Sequence, residues 1–264
     1  MNLELQGKAV LVTGAGSGIG QAIALAFARQ GALVAVNDLE AAGCEQTLAL
    51  LAQVPGGHAM AAAFDVASLD DVRAGVAAVE RRFGRVDVLV NNAAVMLANA
   101  PFVDTRPQDC EREIGVGLFG TMHCSRAVLP GMLARGWGRV VNIVSDAARV
   151  GQEKEVSYSS AKGGVIAFTK SLAREVGRHG VHVNAVSPAA TDTPLRRAVL
   201  QRLAESMGEQ AVQEREARVR KAYPLRRIGQ PEDVAGMVLF LSSGQAAHIT
   251  GQIISVNGGY AMPG

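Results

Sequence analysis

An α/β fold built on a doubly wound parallel sheet follows from three observations on the sequence. Apolar runs of strand length alternate with longer helical stretches from one end of the chain to the other. Most of those runs are continuous in Val, Ile, Leu and Ala rather than alternating, as strands covered on both faces require. The first run leads directly into a glycine-rich turn and then a helix.

Taken in order, strands are expected over residues 8–13, 33–37, 58–64, 86–91, 139–144, 181–186 and 252–256. Helices are expected over 17–30, 41–52, 69–83, 108–133, 156–178 and 231–241. No linker rich in Pro, Gly or Ser interrupts this rhythm, so one domain over 1–264 is expected. One segment departs from it. Residues 193–227 follow the sixth strand and set nine Lys and Arg residues against four glutamates. They read as a helical insertion at the edge of the sheet where ligands bind in open α/β folds, that is, as a lid.

Composition narrows the function. Of 264 residues, 48% are hydrophobic and 19% charged, and a net charge of +2 argues for neither a nucleic-acid nor a membrane-surface partner. No apolar run approaches the roughly 20 residues needed to span a bilayer. Cys44, Cys110 and Cys124 are odd in number and widely spaced, which fits a reducing cytoplasm better than a disulfide framework. The polar first residues, 1–8, do not read as a signal peptide. His123 and His248 lack partners at metal-ligand spacing, so no metal is expected, and His179 and His182 read as structural.

The first turn is Thr13-Gly14-Ala15-Gly16-Ser17-Gly18-Ile19-Gly20. Glycines there allow a tight turn and close approach of backbone amides to a pyrophosphate, while the helix start adds partial positive charge. Strand two ends in Asn37-Asp38, a carboxylate placed to accept both ribose hydroxyls of NAD and to repel the 2′-phosphate of NADP. The cofactor expected is NAD. Phe64-Asp65-Val66 and Asn91-Asn92-Ala93-Ala94 end strands three and four on the same edge. Asp65 is placed to bond an adenine amine, and the small residues at 93 and 94 let a nucleotide lie against backbone.

Tyr158 and Lys162 stand four residues apart on one face of the helix over 156–178. A cation beside a phenol favours the phenolate, so the tyrosine's pKa is expected to fall towards the range of a general base.

Together these motifs resemble the short-chain dehydrogenase/reductase family over essentially the whole chain. Residues 13–20 match its TGxxxGIG pattern, Tyr158 and Lys162 its YxxxK, and Ser145 falls where the family keeps a catalytic serine. Asn91-Asn92-Ala93-Ala94 is similar to its NNAG, and residues 187–193 to its SPGxxxT, each with Gly replaced by Ala. Ile249-Thr250-Gly251 and Val256-Asn257-Gly258-Gly259 resemble its C-terminal pattern. The resemblance implies a Rossmann fold and an oxidoreductase with Ser145, Tyr158 and Lys162 as catalytic residues. It places cofactor contacts on Gly14, Ser17, Gly18, Ile19, Asp38, Asp65, Val66, Asn92, Ala93, Tyr158, Lys162, Pro188, Thr191 and Thr193. It also implies a homotetramer paired through the helices over 108–133 and 156–178, with Leu118, Phe119, Val165, Phe168 and Leu172 as candidate contacts. One departure stands out: Gly117 occupies the place of an Asn that, in the family, helps a water link the lysine to solvent.

Substrate is less legible. Ala94, Met96, Gln152, Val156 and Leu195 are the candidate lining, mostly apolar, which suits an alicyclic, aromatic or acyl secondary alcohol. Residues 145–151 and 190–195 resemble a subgroup that oxidises hydroxyacyl-CoA esters, of the 2-hydroxycyclohexanecarboxyl-CoA dehydrogenase kind, and the basic lid is suited to CoA phosphates. A 3-oxoacyl thioester reductase is the alternative enzyme. A nucleotide-binding scaffold weakened by Gly117 is the alternative outside catalysis.

Overall fold

The computed structural model describes residues 3–263. Seven parallel strands form one sheet in the order β3-β2-β1-β4-β5-β6-β7. They are β1 (Ala9–Val12), β2 (Leu33–Val36), β3 (His58–Ala61), β4 (Val88–Asn91), β5 (Gly138–Ile143), β6 (Val181–Pro188) and β7 (Ile253–Val256). The register pairs Val10 with Val34 on one side and Val88 on the other, so the order reverses between β1 and β4.

Helices cover both faces, which is why β1, β2 and β4 are almost wholly apolar. Val10, Val12, Val34, Val36, Val88 and Val90 bury one face with Ile23 and Phe27 of α1 (Gly18–Arg29) and Val234 and Val238 of α10 (Pro231–Ser242). Leu11, Ala35, Leu89, Val140 and Val183 bury the other. They pack with Val72, Val76 and Val79 of α3 (Leu69–Phe83), Val128 of α5 (Gly120–Arg135) and Leu172 of α7 (Val156–Val176). The remaining major helices are α2 (Ala41–Leu51), α4 (Pro107–Ile114), α6 (Ala147–Val150), α8 (Pro194–Met207) and α9 (Glu209–Ala222).

Three expected elements differ in extent, each for a local reason. The third strand stops at Ala61 instead of Phe64, because buried Asn37 donates from Nδ2 to the carbonyls of Ala62 (2.9 Å) and Phe64 (3.1 Å). The side chain thus takes the two carbonyls, while the Ala62 and Phe64 amides still donate to Val36 O (2.9 Å) and Asp38 O (3.2 Å). The long fourth helix is two helices joined by a wide turn over Gly115–Phe119, in which Gly120 N–H reaches Gly115 O five residues back. A Cβ on Gly120 would sit 2.7 Å from Val66 Cγ2, so backbone here presses onto the segment that follows the third strand. The insertion is α8 and α9, broken at Gly208 with φ +88.

Two of the candidate subunit contacts point inward instead. Val165 and Leu172 are buried against the sheet, and Phe168 packs beside them, whereas Phe119 remains exposed. No helix among the described residues is long and apolar enough to cross a membrane.

Phe27 is fully buried where α1 meets the sheet and α10. Phe27→Ala is expected to destabilise the protein by about 3–5 kcal/mol, read as a drop in the midpoint of denaturant unfolding at unchanged slope.

Candidate active site

The end of β1 is held to the end of β4 by side chains. Thr13 Oγ1 accepts the N–H groups of Asn92 and Ala93, each at 3.0 Å, and Asn92 Nδ2 donates to the carbonyls of Thr13 and Gly14, each at 2.9 Å. Gly14 adopts φ +60, and a Cβ there would lie 2.8 Å from Ala93 Cα, so only glycine fits. A Cβ on Gly20 would fall 2.2 Å from Gly14 O.

Asp38 closes this turn from β2. Its Oδ2 accepts Gly16 N–H at 3.0 Å, and a Cβ on Gly16 would lie 2.6 Å from that same oxygen. Ser17 precedes α1 without capping it through its side chain, which leaves the first amides of the helix for an anion. Thr193 stands over this helix start, its Cγ2 3.4 Å from where a Gly18 Cβ would be, and it caps α8 by accepting Arg196 N–H at 3.2 Å. A side-chain-free cradle, open helix amides and a carboxylate at the end of β2 fit a dinucleotide.

Two further nucleotide candidates are already engaged. Asp65 Oδ2 accepts from Arg112 Nη1 at 2.9 Å and Oδ1 from Ala67 N–H at 2.9 Å, an ion pair not expected from the sequence. The Val66 carbonyl meets His123 Nδ1 at 3.1 Å. Beyond buried Pro188, the segment following β6 is strapped to Gly229: Gly229 N–H donates to Ala190 O (2.9 Å), and Asp192 N–H donates to Gly229 O (2.9 Å). Thr191 bridges Gly229 within that strap.

At the other end of the crevice Ser145, just after β5, lies beside the Tyr158 phenol of α7, close enough to favour its phenolate. Lys162 is buried one turn further along α7, its Nζ donating to Ile143 O at 2.7 Å and lying 5.9 Å from the centre of the Tyr158 ring. Ser145 is fixed from behind by Asp146, a buried carboxylate that accepts from Ser187 Oγ at 2.6 Å and Asn257 Nδ2 at 2.5 Å.

The expectation of a lowered tyrosine pKa is corrected here. Burial pushes the Tyr158 phenol up to about 12; the Ser145 hydrogen bond pulls it down, and the charges of Glu155 and Glu113 push it further up. Lys162 is itself held down to about 8 by burial. Its ammonium spends a donor on a carbonyl rather than on the phenol. Desolvation of both groups therefore outweighs their mutual help in this arrangement.

Glu113 and Glu155 went unnoticed in the sequence. Glu113 is buried at the end of α4 and accepts from Leu97 N–H at 2.6 Å, from Ala98 N–H at 2.8 Å and from the Ser157 hydroxyl. Burial and Glu113 raise the pKa of Glu155. No local motif marks Glu113, since its partners Leu97, Ala98 and Ser157 lie far along the chain.

The proposed substrate lining occupies the same edge. Ala94 and Met96 lie on the loop after β4, Gln152 and Val156 just before Tyr158, and Leu195 in the first turn of α8; all but Met96 are exposed. Several arginines of the 193–227 segment are consumed locally: Arg196 binds Glu216, Arg197 binds Asp192 and Arg227 binds Asp233. Gly117 O accepts Thr121 Oγ1 at 2.9 Å, so the carbonyl at this position already has a donor.

The lysine gives a pH signature of its own. Its folded pKa, about 8, lies below the ordinary 10.5, so between those values the unfolded chain holds a proton that the folded one has released. Wild-type stability is therefore expected to rise relative to Lys162→Met as pH increases through that window, measured by denaturant unfolding at a series of pH values.

Comparison with known proteins agrees with this geometry. A family profile described as enoyl-(acyl carrier protein) reductase matches residues 14–261. The D-threitol dehydrogenase of Mycolicibacterium smegmatis is 38% identical over 262 residues, covering 99% of this chain and 95% of that protein. The 3-oxoacyl-[acyl-carrier-protein] reductase FabG of Thermotoga maritima is 34% identical over 260 residues, 98% of this chain and all (100%) of that one. The crystal structure of levodione reductase superposes with a TM-score of 0.90 at 30% identity, over 96% of this chain and 97% of that chain. With a glycine cradle, a Ser–Tyr pair and a buried lysine on one sheet edge, and relatives matched end to end, the chain belongs to the short-chain dehydrogenase/reductase family of oxidoreductases.

Proposed function

We propose that the protein is an NAD-dependent dehydrogenase that interconverts a secondary alcohol and its ketone, with Tyr158 moving the proton. The placement of Ser145 beside the Tyr158 phenol, with buried Lys162 one turn further along the same helix, carries this reading, because it brings the three groups together on the cofactor edge. The glycine turn would hold the pyrophosphate and Asp38 the adenine ribose. Lys162 would hold the nicotinamide ribose, and Thr191 and Thr193 the carboxamide. When bound, the nicotinamide supplies or accepts the hydride.

The chain's own residues handle the proton. A phenol held at about 12 stays protonated through the neutral range, ready to donate to a carbonyl oxygen that Ser145 steers. In the oxidising direction Tyr158 must first release its own proton to solvent, so that the phenolate can take the alcohol's, and a charged Lys162 near it favours that form. A pKa of about 8 keeps the ammonium mostly protonated at neutral pH. Fixed donors in a water-poor site add more than the same groups would in water.

The mostly apolar candidate lining favours an alicyclic, aromatic or acyl alcohol, with a hydroxyacyl-CoA thioester as the extended form. Internal pairing of the lid leaves Arg202, Arg218, Arg220, Lys221 and Arg226 as the cations without a carboxylate partner among the described residues, so CoA recognition would rest on these. A 3-oxoacyl thioester reductase is the competing reading, favoured by the similarity to the Thermotoga maritima protein. Asp38 opposes a cofactor carrying a 2′-phosphate. A homotetramer is part of the same proposal, with exposed Phe119 as a contact.

Turnover with NAD is expected to exceed that with NADP by about a hundredfold in kcat/KM, and Asp38→Ser to narrow the gap. Equal use of both would remove the NAD assignment. Tyr158→Phe is expected to lower kcat by about a thousandfold or more without changing NAD binding. At Gly117 an added Cβ meets only Ala161 Cβ, at 3.3 Å. Gly117→Asn is accordingly expected to keep or raise activity, and a large loss in the same assay would show that the wide turn depends on glycine.

A further inference from the structure

Glu113 is 1% exposed, and its carboxylate is spread across three neutral donors from two distant segments. Oε1 takes the amides of Leu97 (2.6 Å) and Ala98 (2.8 Å), on the loop that follows β4 and includes Ala94 and Met96. Oε2 takes the hydroxyl of Ser157, the residue before Tyr158 at the start of α7. One side chain thus joins the loop that walls the substrate side to the helix bearing the phenol. A desolvated carboxylate needs these donors, and the donors need it, so the tie is kept in one geometry.

Resting on the dehydrogenase reading above, we infer that Glu113 is a positioning residue that sets the 94–98 loop against Tyr158 and so selects which carbinol carbon comes within reach of the phenol. The groups facing the phenol are Ser145 from the turn after β5, Lys162 from α7, Glu155 just before α7, and Glu113 from α4. Glu113 is the only one of these that also holds the loop. Its charge additionally disfavours the phenolate.

Two substitutions separate tether from charge. In Glu113→Gln the amide oxygen can still accept both loop N–H groups, and its NH₂ can donate to Ser157 Oγ, so the tie survives and the charge goes. Glu113→Ala loses both. In the full-length protein, with NAD and the best alcohol of a panel, Glu113→Ala should lower kcat/KM for the alcohol by about ten- to a hundredfold while leaving the KM for NAD unchanged. Glu113→Gln should recover most of that loss and move the pH–rate profile for oxidation to lower pH. Ser157→Ala, which cuts only the helix side, should lower kcat more than it raises KM.

Amide hydrogen exchange provides a readout independent of turnover. Glu113→Ala should accelerate exchange at Leu97 and Ala98, and Glu113→Gln should not. Unchanged exchange in Glu113→Ala, or kinetics that match the wild type, would overturn the inference. If Glu113→Ala fails to fold, an unshifted profile in Glu113→Gln together with unchanged kcat in Ser157→Ala would overturn it equally. A wild type that turns over no alcohol while its exchange pattern behaves as stated would defeat the dehydrogenase reading and leave the tether standing.

Discussion

The site depends on how the sheet is held open where its order reverses. Between β1 and β4 the connections leave for opposite faces, and a crevice forms that backbone bonding alone does not close. Thr13 and Asn92 span it with four hydrogen bonds, and Gly14 has no room for a side chain beside Ala93. Each bond is worth about 1 kcal/mol net, but losing one partner would leave buried donors or acceptors unmet at greater cost. The turn that faces a nucleotide is therefore shaped by residues that do not themselves touch the chemistry.

From the same strand end a buried polar chain runs towards α7. Asn91 Nδ2 donates to Asn142 Oδ1 and to Ser125 Oγ, and Asn142 Nδ2 donates to Thr169 Oγ1, each between 2.9 and 3.2 Å. Ser125 Oγ continues to Thr121 O, and Thr121 Oγ1 to Gly117 O. Gly117 thus sits at the end of a hydrogen-bonded network in which Asn91 Oδ1 alone has no partner, which gives a physical account of a helix that tolerates several glycines. The wide turn frees the backbone, and neighbouring hydroxyls take up the carbonyls.

Much of the fold was legible because burial on both faces writes itself into composition: continuous Val and Ala runs mark β1, β2 and β4 without any long-range information. The glycine turn and Asp38 were legible for a similar reason, since each has a steric or electrostatic requirement that few residue types meet. Three features were not. The break over Gly115–Phe119 depends on Gly120 lying against Val66, a contact between segments far apart in sequence. The early end of β3 depends on the side chain of Asn37 reaching two carbonyls. The tyrosine's pKa was read from one neighbour, Lys162, whereas its value is set by desolvation, to which every packed element contributes.

Asp146 and Glu113 show what a buried acid can do when no cation is supplied. Each is about 1% exposed and meets hydroxyl and amide donors rather than an ion pair. A cation would neutralise the charge but fix only one partner. Neutral donors leave the charge in place and bind several segments at once: β6 and the C-terminal stretch for Asp146, the 94–98 loop and α7 for Glu113. Because such a group is costly if any donor moves away, it resists displacement more than an apolar contact of equal area would. Ser145 and Tyr158 are the residues next to these two ties. Their approach is thus held from two independent sides, and its geometry is decided outside the pair itself.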